Sequence, residues 1–323
     1  RQRQMCIRDS VNGLQPDVRL TYNHQRIKGA PRITGAGWVL SQNYVERVVD
    51  GDHYDPEKRI YFLHLNGETH ELIDDESDSG YTTKRKNFWH IEKFVDGVEN
   101  THGEYFVVRT KDGTTYRFGY TDNSELTSNL YSYPIRWSLD LVNDTYNNTI
   151  HYTYDEDPHT NDIGTVYPKT IAYNNDKSKR IDFTYTQTDR DNLWETYSQG
   201  SKIKYSRLLS DVTVTYNDNV VRRYALLYKN EPHNVLDLLT NITVYGMDNS
   251  TSLPPVTFEY NNVNTGWTTS FDLPIAVPTK DDGYRFIDVN NDGFVDMIRG
   301  FCDNADTAAV SYTHLRAHET TLD

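Results

Sequence analysis

Short runs in which apolar and polar residues alternate cover much of the chain. This two-residue period is typical of β-strands that have one buried face. Arg59–Leu65 and Glu68–Ile73 are two such runs, and the dipeptide Asn66-Gly67 between them accepts the positive φ angles of a tight hairpin turn. A second pair of runs, within residues 104–120, surrounds Asp112-Gly113 in the same way. The pattern therefore predicts two β-hairpins in the first half of the chain.

The second half continues the alternation, and most of its runs stop at Asn or Asp. Helical periodicity is nearly absent, although a cap-like residue predicts a turn or two of helix at Ser206–Leu209 and at Asn234–Leu239. Strands that recur at short intervals predict an all-β fold with an antiparallel, hairpin-rich domain. The domain is predicted to be a sandwich or a curved meander, and the pattern leaves open whether a meander closes into a barrel. The later strands are predicted at 149–154, 170–173, 180–185, 211–216, 221–228, 241–245 and 256–260.

Near the end of the chain, residues 288–296 carry an oxygen-bearing side chain at every second position, with a glycine where the backbone must turn. Ca²⁺ takes about six to eight oxygen ligands, so this spacing predicts a calcium loop. An EF-hand would need Glu where the chain has Arg299, so we predict flanking strands instead, at Tyr284–Ile287 and Val295–Ile298. The predicted ligands are the side-chain oxygens of Asp288, Asn290, Asp292 and Asp296 and the main-chain carbonyl of Phe294.

Charge and hydropathy exclude two classes of partner. The formal net charge of −14 should repel phosphate backbones, so we predict no nucleic-acid partner. No stretch approaches the roughly eighteen uninterrupted apolar residues of a membrane span, so no span is predicted in this chain. The 25 tyrosines agree with the predicted strands, because tyrosine favours the pleated, half-buried surface of a sheet.

No catalytic or cofactor-binding residue is predicted, and we expect that the protein is not an enzyme. The acidic runs Asp74–Glu76 and Asp155–Asp157 could supply a carboxylate pair, but adjacent strand residues point to opposite faces. His64 and His70 flank the first hairpin turn, yet the register should place His64 opposite Thr69, which disfavours a zinc pair.

The predicted domain organisation has four parts. Residues 1–10 match the translation of a transposase sequencing adapter, and residues 310–323 resemble the translation of its partner adapter. We therefore predict that neither terminal segment is natural protein. Residues 11–270 form the predicted β domain, and residues 271–309 form a partial calcium-binding repeat. The chain is therefore expected to be a fragment of a longer reading frame.

Three segments resemble one family. Gly35–Leu40 is similar to the G-x-G-W-x-L signature near the start of the SpvB-like domain, which also occurs in toxin-complex B subunits of the TcdB type and in Rhs-related proteins. Lys111–Gly119 and Arg136–Asp140 are similar to the hairpin and following strand of that family. The loop at 288–296 resembles the FG-GAP or VCBS repeat, a β-propeller unit that follows the domain.

This resemblance implies a noncatalytic scaffold in a secreted or cell-surface protein. In toxin complexes, such a β domain and an adjoining propeller help to form a shell that encloses a toxic region and docks to a pore subunit. The implied partners are other regions of the same longer polypeptide and other toxin-complex subunits. The ADP-ribosyltransferase activity that names SpvB is not implied, because its catalytic segment has no counterpart here.

Two other functions stay open. The aromatic content and the calcium repeat would also suit an adhesin or carbohydrate-binding surface protein with an integrin-like propeller. The carboxylates alone would suit a polysaccharide-cleaving enzyme.

Overall fold

The structure, a computed structural model, describes the chain in segments. These are residues 4–7, 14–26, 32–49, 59–75, 80–130, 133–191, 193, 195–198, 201–231, 236–260, 284–287, 296–302 and 308–313. Two single 3-10 turns occur, at His24–Arg26 and Asp122–Ser124. The strands are β1 Gln4–Ile7, β2 Val18–Tyr22, β3 Trp38–Leu40, β4 Tyr44–Val49, β5 Arg59–Leu65, β6 Glu68–Asp74, β7 Gly80–Thr83, β8 His90–Phe94, β9 Tyr105–Arg109, β10 Thr115–Phe118, β11 Glu125–Thr127, β12 Pro134–Asn143, β13 Thr149–Glu156, β14 Val166–Tyr173, β15 Lys179–Tyr185, β16 Thr196–Ser198, β17 Ser201–Ile203, β18 Leu209–Tyr216, β19 Asn219–Glu231, β20 Leu236–Tyr245, β21 Val256–Thr257, β22 Tyr284–Ile287, β23 Asp296–Cys302 and β24 Ala308–Thr313.

The predicted all-β, antiparallel character is confirmed, and both early hairpins are present. The turn between β5 and β6 has φ of 54° at Asn66 and 87° at Gly67, as a two-residue hairpin turn requires. The turn between β9 and β10 differs from it, because Gly113 has a positive φ of 83° while Asp112 does not. Both helix predictions were wrong: residues 206–208 form no helix and Leu209 opens β18, and Leu236–Leu239 lies in β20, while residues 234 and 235 lie outside the described residues. Pairing with neighbouring strands outweighed the weak local capping signal.

Eight antiparallel strands close into a barrel in the order β4-β5-β6-β7-β8-β9-β10-β12. Closure comes from β10 and β12, where Thr115 pairs with Asn143. The inward side chains fill the barrel: the ring centroids of Tyr61 and Trp137 lie 5.8 Å apart, and those of Phe106 and Trp137 lie 5.0 Å apart. The first part of the domain is therefore a packed barrel rather than a sandwich.

Strand β12 belongs to both halves of the domain. Residues Arg136–Ser138 pair with β4 in the barrel, whereas Leu141–Asn143 pair with β13 on the same edge. From β13 an open sheet continues in the order β13-β14-β15-β18-β19-β20-β21. A separate sheet, β1-β2-β3, shares its apolar core with the barrel and the open sheet.

The chain divides into two compact units, residues 1–260 and 261–323. In the second unit, β22, β23 and β24 form a three-stranded antiparallel sheet. The described part of this unit shows no propeller. The predicted boundary at 270/271 lies outside the described residues, so that division of the chain stays a prediction. Across the described segments, none of the helical turns has the length and apolarity that a membrane crossing requires.

Parts of both segments predicted to be adapter sequence form strands. Gln4–Ile7 pairs with β2, and Ala308–Thr313 pairs with β23. Their strand pairing does not test where these residues come from, so the adapter origin stays a prediction.

Candidate functional site

The predicted calcium loop falls mainly outside the described residues, which exclude Asp288, Asn290, Asp292 and Phe294. The backbone of Asp296 is described as the first residue of β23. Strands β22 and β23 pair so that Ile287 lies opposite Asp296, which brings the two ends of the predicted loop together. Elsewhere in the described chain, no three His, Cys, Asp or Glu side chains are grouped so that they could hold a metal ion.

The Gly35–Leu40 segment fastens sheet β1-β2-β3 to the end of the open sheet. Nε1 of Trp38 donates a hydrogen bond to the hydroxyl oxygen of Tyr260 at 2.9 Å. Gly35 has a φ of 77°, and a Cβ atom there would lie 2.6 Å from the carbonyl oxygen of Asp237 in β20. The segment singled out by the sequence is therefore a packing joint, and its glycine permits the close approach of two backbones.

A buried ion pair supports the same joint. Asp237 accepts a hydrogen bond at its Oδ2 atom from Nε of Arg190 at 2.7 Å, and Nη2 of Arg190 contacts the same oxygen. The two side chains are only 1% and 7% exposed. Such a pair costs more to break than it contributes, because either partner alone would be a buried, uncompensated charge.

A second ion pair lies within the barrel. Nζ of Lys93 donates to Oε1 of Glu104 at 2.7 Å and to the hydroxyl of Tyr61 at 3.2 Å. Burial lowers the pKa of Lys93, although its hydrogen bond to Glu104 opposes that effect. Burial also raises the pKa of Tyr61 to about 12. The pair therefore fixes two interior side chains against each other.

Two further carboxyl groups lie in low-polarity surroundings. Glu125 is buried and contacts Nδ1 of His102, and burial raises its pKa above the ordinary value. Burial, together with the charges of Asp157, Asp122 and Glu125, raises the pKa of Glu156 to about 7. Glu156 would therefore bind a proton near neutral pH, which makes the stability of the domain depend on pH.

A cavity of about 250 Å³ lies beside the barrel wall. Strand β4 contributes Tyr44 and Glu46, which alternate with the buried Val45, and β12 contributes Arg136. The described lining also includes residues of β3, of β11, of the hairpin β16–β17 and of the loops that adjoin them. This cavity brings together polar groups that no sequence pattern predicted to be neighbours, because its walls come from segments far apart in the chain.

The two histidines considered as a zinc pair and the acidic run at 155–157 make structural contacts. His64 lies opposite Thr69, as predicted, and it contacts Glu46, whereas His70 packs on Trp89. In the acidic run at 155–157, the side chain of Asp155 pairs with Lys169 and that of Asp157 accepts hydrogen bonds from the backbone of residues 164 and 165.

Two of the five tryptophans, Trp38 and Trp137, are buried in the core and cannot line a sugar groove. Trp194 and Trp267 lie outside the described residues.

Sequence reasoning missed the two interior ion pairs. Arg190 and Lys93 give no motif signal, because Arg190 lies in residues 186–191, which form no strand, and Lys93 continues an ordinary alternating strand. The available hint for Lys93 was its position two residues after Ile91, which places both on the inward face of β8.

Comparison with known proteins shows similarity of fold. No known protein family matches the sequence, and no curated protein matches it. The N-terminal domain of effector protein SpvB from Salmonella typhimurium strain LT2 matches with a TM-score of 0.59 at 16% identity, over 72% of this chain and 95% of that one. The crystal structure of TcdB2-TccC3 matches with a TM-score of 0.69 at 15% identity, over 94% of this chain. The Photorhabdus luminescens Tc holotoxin pore matches with a TM-score of 0.63 at 15% identity, over 91% of this chain and 17% of that one.

The length of the match differs between these structures. The chain corresponds to nearly all of the SpvB domain, but to only 19% of the TcdB2-TccC3 chain. Its likeness to the toxin structures is thus a likeness to one region of a much longer polypeptide.

Proposed function

We propose that this chain is a noncatalytic structural region of a large exported protein of the toxin-complex B-like or Rhs-related kind. The observation that carries the proposal is the match of 94% of the chain to one region of TcdB2-TccC3. The partners would be other regions of its own longer polypeptide and other toxin-complex subunits. The protein would act outside the cell, either secreted or at the cell surface.

The packing of the barrel supports a structural role. Trp137, Phe106 and Phe118 are fully buried in its interior. Among the charged groups inside, Lys93 binds both Glu104 and Tyr61. A filled barrel with paired interior charges resists deformation, which suits a supporting element of a larger assembly.

The loop between β22 and β23 would bind one structural Ca²⁺ ion. The alternating oxygens from Asp288 to Asp296 and the pairing of Ile287 with Asp296 support this assignment. Extracellular calcium modules have a Kd of about 10⁻⁴–10⁻³ M. With free calcium at about one to ten times Kd, binding would add only about 0.4–1.4 kcal/mol of stability. The ion would therefore order a loop rather than drive folding.

The structural role is tested by reading the coding sequence beyond both ends of the chain and by assaying the purified chain. We expect a long continuation with Tyr-Asp repeats downstream, and no turnover on a panel of polysaccharides. A stop codon soon after Arg299 in that longer sequence would contradict membership of a large scaffold. Reproducible polysaccharide cleavage would contradict the noncatalytic role.

The calcium site is tested separately by calorimetry on wild type, Asp288→Ala and Asp292→Ala. Each substitution leaves an incomplete oxygen shell, so calcium binding and the calcium-dependent rise in melting temperature should both be lost. Glu99→Ala is the control, because it removes an exposed carboxylate from the first unit and should leave binding unchanged. Equal binding by wild type and both loop variants would rule out the assignment.

A further inference from the structure

The cavity beside β4 and β12 carries an excess of positive charge. Arg32 and Arg136 line it, against a single described carboxylate, that of Glu46. The whole chain, by contrast, has a net charge of −14. An excess of arginine over carboxylate in a cavity favours small anions over cations.

Arg136 is held in one orientation by its neighbours. Its guanidinium carbon lies 3.8 Å from the ring centroid of Tyr44, and its Nη2 donates to Oε1 of Gln42 at 2.5 Å. The other side of Tyr44 is supported by His64, whose ring stacks on it at 4.3 Å. Nε of Arg136 is buried and has no hydrogen-bond partner within the described residues. The guanidinium group is therefore fixed in place while one of its donors remains unused.

Glu46 does not neutralise this arginine. The two residues lie opposite each other in the β4–β12 register, but the carboxylate of Glu46 pairs with Nε2 of His64 at 2.8 Å. Over the part of the chain that the structure describes, neither Arg32 nor Arg136 forms an ion pair with a carboxylate. Burial would raise the pKa of Glu46, but the hydrogen bond with His64 and the charges of His64, Arg136 and Arg32 outweigh it and lower the pKa. Both arginines thus lie at the cavity with the carboxylate of Glu46 near them but not in an ion pair with either.

We propose that this cavity binds a small ligand through a carboxylate or phosphate group, with Arg136 as the main contact and Arg32 as the second. A planar guanidinium presents paired donors that match the oxygens of either group. The volume of about 250 Å³ falls just below the roughly 300–1,000 Å³ of common ligand pockets. It therefore suits a compact anion or the charged end of a longer molecule. This binding activity is separate from the structural role and does not depend on it.

The experiment is calorimetric titration of the full chain at low salt with two probes, inorganic phosphate and succinate. Low salt is needed because added ions screen exposed arginines. Arg136→Gln should weaken binding by about tenfold or more, since a hydrogen bond to a charged group is lost. Glu46→Gln should strengthen binding several-fold, because it removes the one negative charge among the described lining residues. Arg222→Gln is the matched control: it removes the same charge from an exposed position on β19 and should change nothing.

Each outcome decides the proposal. Saturable binding of phosphate alone, of succinate alone or of both supports it and identifies the group that is recognised. The absence of saturable binding of either probe to the wild type overturns it, as does an equal effect of Arg136→Gln and Arg222→Gln. If Arg136→Gln does not fold, Arg136→Lys and Glu46→Gln decide, because they should shift affinity in opposite directions. Shifts in the same direction would overturn the proposal.

Discussion

The stability of the closed barrel should be highly sensitive to the addition of a single methyl group at Gly119. This residue follows β10, has a φ of 77°, and its backbone N–H donates to the carbonyl of Ser138 at 2.9 Å. In Gly119→Ala, the new Cβ atom would lie 2.2 Å from Cδ1 of the fully buried Trp137. A positive φ costs a non-glycine residue about 1–2 kcal/mol, and overpacking a core costs about 1–3 kcal/mol. The expected loss is therefore about 2–5 kcal/mol, a large share of the roughly 5–15 kcal/mol that stabilises a typical protein.

The assay is urea and thermal unfolding of the full chain, and the control is Gly67→Ala. Gly67 also has a positive φ, of 87°, but the nearest atom to its added Cβ is the mobile end of Arg19 at 3.5 Å. The control should therefore lose only the backbone term of about 1–2 kcal/mol. At about 2–4 °C per kcal/mol, Gly119→Ala should lower the melting temperature by about 4–20 °C.

A double-mutant cycle separates the clash from the backbone strain. In a Trp137→Leu background, the smaller side chain leaves room for the methyl group, so Gly119→Ala should cost less than it does in the wild type. Equal losses for Gly119→Ala and Gly67→Ala, or strict additivity with Trp137→Leu, would refute the reasoning.

Two further predictions concern buried charge. Because burial raises the folded-state pKa of Glu156 from 4.5 to about 7, its stabilising effect is complete below pH 4.5 and is lost as the pH rises through 7. Glu156→Gln should therefore gain stability relative to wild type between pH 4 and pH 8 in urea titrations, whereas Glu99→Gln should show no such trend; parallel curves for the two variants would contradict this. Asp237→Ala should cost about 3–5 kcal/mol in the same assay, because it leaves Arg190 buried without its partner. Asp155→Ala breaks an exposed pair and should cost about 1 kcal/mol or less, so similar losses for both would show that burial does not set the cost.

The sequence alone predicted where most strands lie and how the first hairpin turns. Strand β5 ends and β6 begins at the residues flanking Asn66-Gly67, because alternation and turn preference are properties of the residues themselves and their nearest neighbours. The same local logic placed His64 opposite Thr69. It failed at Ser206–Leu209 and Asn234–Leu239, where a weak cap signal competed with strand pairing that the local sequence does not encode.

Only the tertiary structure decided that the barrel closes and where the cavity lies. The meander becomes a barrel because β10 pairs with β12. The open sheet begins because β12 pairs with β4 over its first half and with β13 near its end. The bond from Trp38 to Tyr260 spans 222 residues, and the pair of Arg190 and Asp237 spans 47. Such contacts form only after distant segments have been brought together, and many strand orders are compatible with the same alternation. The local pattern therefore determines the strands, whereas long-range packing selects one arrangement of them and gathers the arginines at one cavity.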